Sequence, residues 1–464
     1  MADRFAPPPY ALLVLRRLER AGFEAWFVGG CVRDSLLGRA PGDWDVATSA
    51  RPEQVQACFQ GFSTADVGAR HGTILVAVEG HPVEVTTFRR DGAYSDSRHP
   101  DGVTFSPRLE EDLCRRDFTV NAMAWHPERG LRDCFGGRED LERRVLRCVG
   151  DPARRFTEDA LRVLRCLRFA AVLGFSIERG TARALWEHQG LLPGLSAERV
   201  REELTKLLCG EQAPQVLREY SGIIFTLLPE LVPMCGCTQE TPYHCYTVWE
   251  HTLHALGHAP QNAPLRWAAF LHDSGKPGAK FFSPDGVAHF YGHAGLSEQL
   301  AQGLLARLRF PNKERERVCS LIGAHSQALP LSEKRIKKLL GKQGEEWFFQ
   351  LLDLMAADNS GKQPDLCPPR LALIGEAREL ARSILAQGAC LTLKSLAVKG
   401  DDLLALGYAP GPGLGAAAGL LVTPQGARRS YAGRGRRSER EEATGAPEKL
   451  GAACGRVPGV RPTH

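Results

Sequence analysis

The sequence contains no run of 18 apolar residues, so no membrane-spanning helix is expected. Its first twenty residues have neither an uninterrupted apolar core nor a small-residue cleavage site, which predicts that no signal peptide is present. The 14 cysteines are scattered over 464 residues, and no export signal accompanies them. We therefore expect reduced thiols in a cytoplasmic protein rather than a disulfide scaffold.

The main part of the chain also lacks an excess of either charge. The net charge of +5 comes from residues 426–464, which hold nine Lys/Arg and four Asp/Glu and leave 50 of each sign in residues 1–425. Overall charge is therefore no argument for nucleic-acid binding, and only local clustering could be one. The last 40 residues are rich in Gly, Arg, Ala and Ser without periodicity, which predicts disorder. An RNA-binding Arg/Gly tail is the functional alternative.

Secondary-structure patterns change near residue 150. Before it, a helical pattern, "YALLVLRRLERAG", leads into β-rich runs such as "EAWFVGG", "DWDVAT", "GTILVAVEG" and "HPVEVTTF". After it, segments such as "SAERVREELTKLLCG" carry apolar residues at helical spacing, and no internal repeat is evident. The sequence therefore predicts an α+β fold. The predicted segments are a mixed sheet-plus-helix head at 1–150, a helical neck at 151–230, a helical body at 231–365, a helical tail at 366–422, and a disordered end at 423–464.

The stretch "FVGGCVRDSLLG" combines a strand, two glycines and the start of a helix. A strand-to-helix turn opened by Gly29 and Gly30 lets backbone N–H groups approach a phosphate at the positive end of the helix. Arg33 follows one turn into that helix. A Gly-Gly pair by itself is more often only a turn, so the residues that follow decide how it is interpreted.

Two aspartates come next, in "DWDVAT". Because side chains alternate along a strand, Asp43 and Asp45 should point the same way and Trp44 the opposite way. Adjacent carboxylates repel unless a cation lies between them, and oxygen ligands suit Mg²⁺ with a substrate phosphate. Glu84, in "PVEVTTF", is the best candidate for a third acid on a neighbouring strand. The combination predicts a nucleoside triphosphate site, although an Asp-x-Asp pair alone is more often a solvated loop edge.

Four blocks in this order resemble the class II tRNA nucleotidyltransferase and bacterial poly(A) polymerase family. They are "GGCVRDSLLG…DWDVAT", "LEEDLCRRDFTVNAMAW", "DPARRFTEDALRVLRCLRFAA" and "SAERVREEL", and the resemblance covers residues 20–230. It implies a polymerase-β-like head, catalytic Asp43 and Asp45 with Mg²⁺, and a reaction that releases pyrophosphate. The matching residues of the second block, Arg116 and Asp117, would then lie near the ribose and triphosphate, with Asn121 orienting the same site.

The third block carries the implied choice of base. We place it on a helix that begins near Thr157, where Asp159 and Arg162 share a face beside Glu158. An aspartate accepts from an exocyclic amine and an arginine donates to a ring nitrogen or carbonyl, so this pair would accept cytosine and adenine and reject uracil and guanine. The alternative is a structural Glu158–Arg162 helix pair. The polar stretch 88–106 resembles the loop that family members use in switching from C to A.

A second set of residues resembles the HD superfamily of metal-dependent phosphohydrolases. Histidines and aspartates occur in the expected order within the predicted body, and the adjacent His-Asp pair is the most specific part. Imidazole with carboxylate suits Mn²⁺, Ni²⁺, Fe or Zn²⁺. The expected metal ligands are His251, His272, Asp273, His293, His325 and Asp358. The site could also serve only as a scaffold.

The leading hypothesis is template-independent addition of CCA to the 3′ end of tRNA from CTP and ATP. The nearest alternative is an enzyme that adds only A, to tRNA or as poly(A). A third is hydrolysis of phosphomonoesters or 2′,3′-cyclic phosphates at RNA ends by the histidine–aspartate residues. The expected partners are tRNA, CTP and ATP, with no membrane, and the chain is expected to be a monomer or homodimer.

Overall fold

The computed structural model of the chain describes residues 5–68, 72–92, 103–241, 245–387 and 391. All elements given below lie within Met1–Gln387, one of the two units into which residue contacts divide the chain. The centre of the predicted C-to-A loop, most of the predicted tail and the whole Arg/Gly-rich end lie outside the described residues. The domain boundaries predicted above stay a prediction.

One mixed sheet dominates the N-terminal part of the chain. It contains seven strands in the order β3-β4-β5-β2-β1-β8-β9, and β2 and β5 are its one parallel pair among the described residues. Six short strands form two-stranded pairs outside it. In chain order the strands are β1 (Ala25–Val28), β2 (Val46–Thr48), β3 (Ser63–Gly68), β4 (Thr73–Val78), β5 (His81–Thr87), β6 (Arg89–Asp91), β7 (Val103–Phe105), β8 (Met123–His126), β9 (Gly130–Asp133), β10 (Val145–Leu146), β11 (Ser176–Ile177), β12 (Phe281–Phe282) and β13 (Ala288–His289).

Helices accompany the sheet and make up most of the remaining described chain. The first five lie among the strands, and the others follow residue 150. They are α1 (Pro9–Arg20), α2 (Gly30–Leu36), α3 (Pro52–Cys58), α4 (Leu109–Cys114), α5 (Gly137–Arg143), α6 (Pro152–Glu158), α7 (Leu161–Leu173), α8 (Arg179–His188), α9 (Ala197–Leu208), α10 (Ala213–Glu219), α11 (Ser221–Phe225), α12 (Val248–His258), α13 (Ala263–Leu271), α14 (Lys276–Ala279), α15 (His293–Arg307), α16 (Asn312–Ala324), α17 (Glu333–Gln343), α18 (Glu345–Ser360) and α19 (Cys367–Ala386).

This architecture confirms the predicted α+β class, with a mixed sheet head followed by a helical body. None of the helices that the structure describes is long and apolar enough to cross a membrane. Each of the cysteines within the described ranges is a free thiol.

The sheet is covered on both faces, which decides where its polar side chains lie. On one face α1 packs against Phe27, Val46 and Val85, and on the other α4 packs against a second apolar set that includes Val28 and Ala47. Because side chains alternate along a strand, the residues next to Val46 and Val85 belong to the α4 face. That face therefore carries the candidate acids.

Two local predictions about secondary structure were wrong in detail. The strand predicted over "DWDVAT" begins only at Val46, although the N–H of Val28 still donates to the carbonyl of Asp45 at 3.1 Å. The helix predicted from Thr157 is interrupted, because α6 ends at Glu158 and Asp159 is extended at φ −143° and ψ 103°. The Asp159 carboxylate accepts from the N–H of Leu161 at 3.1 Å, and this local bond competes with helix continuation.

The helical body brings distant histidines and acids together. Helices α12, α13 and α18 contact one another, and α16 contacts α13 and α15. Residues at the ends of α13 and α16 thereby face residues within α12 and α18. The convergence is a property of this packing rather than of any local sequence.

Candidate active site in the head and candidate metal centre in the body

The turn between β1 and α2 is set by Gly29. Its φ of +75° lies in the region that favours glycine, and a Cβ there would lie 2.9 Å from Nη1 of Arg116. The positive φ therefore favours glycine at position 29, and the missing Cβ leaves room for the guanidinium of Arg116 beside the backbone of this turn. Gly30 begins α2, so the Gly-Gly pair occupies the predicted strand-to-helix turn.

Three acids lie on the α4 face at the edge of this turn, and we call Asp43, Asp45 and Glu84 the acid cluster. Val46 pairs in parallel register with Val85, which places Asp45 beside Glu84 on the next strand. Asp43 and Glu84 are exposed, Asp45 is half-buried, and Trp44 is buried, as strand alternation predicts. The three carboxylates are accessible and close enough to influence one another.

Repulsion among the three carboxylates of the acid cluster is seen in the pKa of Asp45. Burial, followed by the charges of Asp43 and Glu84, raises the pKa of Asp45 to about 7, and Arg116 opposes this rise. A set of oxygen donors that holds a proton near neutral pH for lack of a countercharge fits a hard divalent cation such as Mg²⁺. The residues present therefore suit the metal that the sequence analysis expected.

This shifted pKa leads to a testable pH dependence. Because the folded pKa of Asp45 lies above its ordinary value of 3.8, the native state binds the extra proton. In cation-free protein this contribution to stability is present at low pH and is lost as pH rises through about 7. We expect Mg²⁺ to raise Tm by about 2–4 °C more at pH 8 than at pH 6, since cation binding competes with the proton.

Differential scanning fluorimetry with and without Mg²⁺ would measure this difference. The matched control is Asp45→Asn, which removes the titrating carboxyl and should make the Mg²⁺ effect nearly independent of pH. Equal Mg²⁺ shifts at pH 6 and pH 8 in the wild-type protein would contradict the assignment of Asp45 as a ligand.

A second group of predicted residues forms a continuous polar chain under the turn. Nη1 of Arg33 donates to Oδ1 of Asn121 at 2.7 Å, and Nδ2 of Asn121 donates to Oδ1 of Asp117 at 3.1 Å. Arg165, which the sequence analysis did not select, donates to Oδ2 of Asp117 at 2.6 and 2.9 Å. Despite the opposing effect of burial, Arg165 holds the pKa of Asp117 well below its usual range. Asp117 is therefore a charged, fixed centre of this chain of bonds.

Arg165 belongs to a row of arginines on one side of α7. Arg162, Arg165 and Arg168 are spaced by three residues, and this spacing was the available signal in the sequence. Nε of Arg168 lies 2.8 Å from Oε2 of the buried Glu203 on α9, which links the neck helices. The arginine row thus connects the polar chain around Asp117 in the head to the helices that follow it.

The predicted base-selecting residues lie at the break between α6 and α7. Arg162 is buried, and its guanidinium donates to Oε2 of Glu158 at 2.9 Å and to the carbonyls of Arg155 and Arg115 at 3.1 and 2.9 Å. The Glu158–Arg162 pair that was weighed as the structural alternative is thus formed. Asp159 lies outside both helices, and its Oδ2 accepts from Arg199 at 2.9 Å. Arg199, which lies on α9, thereby fixes this carboxylate.

Arg116, whose Nη1 lies against Gly29, is held by Asp112 through its other terminal nitrogen. Its Nη2 donates to Oδ2 of Asp112 at 3.2 Å, while Arg115 donates to Oδ1 of the same carboxylate at 2.7 and 2.9 Å. Asp112 is fully buried, and against that burial the two arginines keep its pKa below the ordinary value. Asp112 was missed by the sequence analysis; it contacts Nη2 of Arg116, while Nη1 of the same guanidinium lies against Gly29.

In the body, the six residues predicted as a second metal site lie in one cluster, which we call the histidine–aspartate site. Two sets of donors meet there, one of His251, His272, Asp273 and Asp358 and the other of Asp273, His293 and His325. Oδ2 of Asp273 lies 3.2 Å from Nε2 of both His251 and His272, and Oδ1 lies 3.5 and 3.7 Å from Nε2 of His293 and His325. Asp273 is therefore shared by both sets.

The tautomers of these histidines favour metal binding. In each of the four, Nδ1 lies 2.7–2.8 Å from a backbone carbonyl oxygen, so Nδ1 carries the hydrogen in the neutral ring. The lone pairs on Nε2 then all face the carboxylates, and Nε2 of His251 lies 3.2 Å from Nε2 of His272. Such an arrangement is mutually repulsive without a cation, and it is the orientation in which backbone groups hold metal-binding histidines.

The pKa shifts of two of these histidines are consistent with a site that is stabilised by a cation. Although burial opposes it, the carboxylates of Asp273 and Asp358 raise the pKa of His272 to about 9. Burial and the neighbouring His272 lower the pKa of His325 to about 4. Oδ1 of Asp273 is also buried without a hydrogen-bond partner among the described residues. The donor set of nitrogen and oxygen fits a divalent transition metal.

Comparisons with known proteins agree with this arrangement of segments. The Poly A polymerase head domain matches residues 25–147, the probable RNA and SrmB-binding site of polymerase A matches 174–235, and the HD domain matches 242–359. The CCA-adding enzyme of Limosilactobacillus fermentum is 35% identical over 412 residues, which are 88% of this chain and 90% of that protein. The chain belongs to the CCA-adding enzyme family.

Other members of the CCA-adding enzyme family match to different extents. The enzyme of Geobacillus thermodenitrificans is 51% identical over 212 residues, and the chain spans about half the length of this relative, 52%. The crystal structure of the Bacillus stearothermophilus CCA-adding enzyme in complex with CTP is 31% identical, covers 90% of this chain and 92% of that one, and superposes with a TM-score of 0.66. The resemblance drawn from the four sequence blocks is confirmed at the level of the family.

Proposed function

We propose that this chain adds C, C and A to the 3′ end of tRNA from CTP and ATP and releases pyrophosphate. The acid cluster beside the Gly29–Gly30 turn is the observation that carries the proposal, because it joins a cation site to a place where a triphosphate can approach the backbone. Relatives named as CCA-adding enzymes, one of them with bound CTP, support this choice of reaction.

In this proposal Asp43 and Asp45, together with Glu84, would hold Mg²⁺. The metal, when bound, favours ionisation of the attacking hydroxyl and neutralises charge on the phosphates. The tRNA 3′-hydroxyl displaces pyrophosphate from the α-phosphate, so one phosphodiester forms as one phosphoanhydride breaks. Arg116, held by Asp112, is within reach of the turn backbone and supplies positive charge to the triphosphate.

In this proposal the polar chain of Arg33, Asn121 and Asp117 binds the sugar and orients the turn. An aspartate kept ionised at neutral pH accepts a ribose hydroxyl, and the neighbouring arginines offer donors. Because Asp117 is fixed by Arg165, its carboxylate needs no rearrangement when a nucleotide binds. The Asp117 carboxylate would thus recognise the ribose hydroxyl from a fixed position, without having to move.

The choice of base is proposed for Asp159 and Arg162. The bonds of Arg162 to Glu158, Arg155 and Arg115 use three of its five N–H groups, as far as the described residues are concerned. The remaining donors and the Asp159 carboxylate suit an amine beside an acceptor nitrogen, as in cytosine and adenine. Uracil and guanine would leave these groups unpaired, which is costly in a buried site.

Asp159→Ala should reduce the preference for CTP over UTP by about 10- to 100-fold, the range expected for losing a hydrogen bond to a charged group. Single-nucleotide incorporation into tRNA lacking its 3′ end measures this as a ratio of kcat/KM values. Glu198→Ala is the matched control, because Glu198 is also an acid and its carboxylate pairs with the exposed Arg309. An unchanged CTP/UTP ratio in Asp159→Ala would assign base choice to other residues.

A gel assay with each nucleotide offered singly and in pairs separates the leading proposal from its nearest alternative. Extension of tRNA lacking its 3′ end by CTP alone, and further extension after ATP is added, supports CCA addition. Incorporation of ATP alone on tRNA ending in CC, with no use of CTP, would indicate an enzyme that adds only A.

A second activity is proposed for the histidine–aspartate site, namely hydrolysis of phosphomonoesters or 2′,3′-cyclic phosphates at RNA ends. The convergence of four Nε2 atoms on two buried carboxylates favours it over a scaffold role. A transition metal bound there would lower the pKa of a water ligand. Lys276 lies 2.7 Å from Asp273 and Lys362 lies 2.7 Å from Asp358, so positive charge for a phosphate is at hand.

A further inference from the structure

An aromatic surface lies beside the histidine–aspartate site, on the hairpin formed by β12 and β13. Phe281 is 45% exposed, Phe282 is 56% exposed, and Tyr291, two residues after the hairpin, is 75% exposed. Single exposed rings are common on protein surfaces, but three within eleven residues are a concentrated apolar patch. Such a patch is typical of a binding surface.

The rings on one side of this hairpin are organised. The ring centroids of Phe281, His289 and Tyr291 lie 5.3–5.5 Å from one another, and the planes of His289 and Tyr291 are 17° apart. We call these three residues the ring cluster. Strand alternation places Phe282, the next residue along β12, on the other face of the hairpin, and its ring centroid lies 5.0 Å from Nζ of Lys280. The hairpin thus presents one stacked side and one separate ring.

The ring cluster is continuous with the histidine–aspartate site. Tyr291 lines a cavity of about 280 Å³ that is also lined by Asp273, His293, Lys362 and Arg370. Its neighbour Phe290 lies at the same cavity, with its ring 5.5 Å from Nζ of Lys276. A molecule whose phosphate enters the cavity would therefore bring its adjoining part against Tyr291.

The cavity and its aromatic rim differ in chemistry, and together they favour one kind of molecule. The cavity offers lysines, an arginine and metal-binding donors, which suit a phosphate, and the rim offers flat aromatic faces. Every nucleobase has a π-face that stacks on aromatic side chains, and such stacking does not depend on base identity. A phosphate joined through a ribose to a base satisfies both halves, whereas a simple phosphomonoester satisfies only the cavity.

We propose that the ring cluster stacks the base of a terminal nucleotide whose phosphate enters the histidine–aspartate site, which makes nucleotides and RNA ends its substrate class. This inference rests on the hydrolytic function proposed above. Tyr291 is a positioning residue, because its ring contacts the base and not the reacting atoms. A protein partner on the same rings is the competing occupant, and it is an outcome of the test below.

Calorimetric titration of the full-length protein with adenosine 3′-monophosphate and with ribose 5-phosphate, which has no base, tests the inference. Tyr291→Ala should raise the dissociation constant for the nucleotide about 5- to 100-fold, the range expected for losing one stacked base, and should leave that for ribose 5-phosphate unchanged. Tyr291→Phe should retain nucleotide affinity because it keeps the ring. Phe282→Ala, an equal loss of exposed aromatic surface on the other side of β12, should also retain it.

Nucleotide binding by Tyr291→Ala that equals wild type, or equal loss for both ligands, would overturn the inference, and the first result would leave a protein partner as the occupant. The hydrolytic proposal is tested separately with metal-loaded protein. Failure of wild-type protein to hydrolyse either phosphate would refute that proposal. Hydrolysis of both, with the same KM for the nucleotide in wild type and Tyr291→Ala, would refute only the assignment of the ring cluster.

Discussion

Asp45→Asn should lower incorporation of CTP and ATP into tRNA by about 1,000-fold or more, since in the proposed reaction this carboxylate holds the catalytic cation. The substitution keeps the size of the side chain but replaces a carboxylate oxygen by an amide nitrogen. It also removes the carboxyl whose pKa is raised to about 7, so the variant should fold and be no less stable at pH 8 than the wild-type protein without Mg²⁺. Single-turnover incorporation with saturating nucleotide measures the effect on chemistry.

Glu53→Gln is the matched control for this substitution. Glu53 is an exposed acid in the first turn of α3, in the same part of the chain but outside the acid cluster. It should change incorporation less than twofold. Residual activity of Asp45→Asn within tenfold of wild type would show that the acid cluster does not hold the catalytic cation, and the proposed reaction would lose its main support.

The acid cluster could be predicted from the sequence because a strand has a period of two. Asp43, Trp44 and Asp45 alternate in exposure although the formal strand starts at Val46, and Glu84 alternates with Val83 and Val85 on the neighbouring strand. Alternation therefore places Asp43 and Asp45 on the same side of their segment, and it places Glu84 on the side of its own strand opposite Val83 and Val85. What the pattern did not provide was the parallel register of Val46 with Val85, which depends on the order of strands in the sheet.

The supporting residues could not be found in the same way. Arg165 and Asp117 are 48 positions apart, and Arg199 and Asp159 are 40 apart. Contacts over such separations depend on how α7 and α9 pack, and a single sequence contains no direct record of that packing. The break at Asp159 was missed for the opposite reason, since a bond between Asp159 and Leu161 overrides the helical pattern around it.

The histidine–aspartate site shows how much the order of residues can predict. All six residues selected from the sequence meet in one cluster, in which five are buried and His293 is half-buried, so the chemistry of the donors was predictable. The sharing of Asp273 between two sets of histidines was not, because it depends on α12, α13, α15, α16 and α18 together. The uniform placement of Nδ1 on backbone carbonyls also appears only in the fold.

Asp273→Asn should abolish hydrolysis at the histidine–aspartate site by about 1,000-fold or more, because this carboxylate faces all four imidazole rings. Asparagine offers one neutral oxygen in place of two charged ones, so the affinity for metal should fall with the activity. The readouts are metal content after dialysis, by mass spectrometry, and release of phosphate from adenosine 3′-monophosphate.

The same variant should add nucleotides to tRNA at a rate within twofold of wild type, since its substitution lies in the body and the acid cluster lies in the head. Glu345→Gln, an exposed acid at the start of the helix that carries Asp358, is the matched control and should retain metal and both activities. Together with Asp45→Asn this makes a reciprocal pair in which each variant loses one reaction and keeps the other. Retention of metal and phosphate release by Asp273→Asn would show that the convergent histidines serve only to hold the helices together, and loss of tRNA extension in the same variant would show that the body supports the head's reaction.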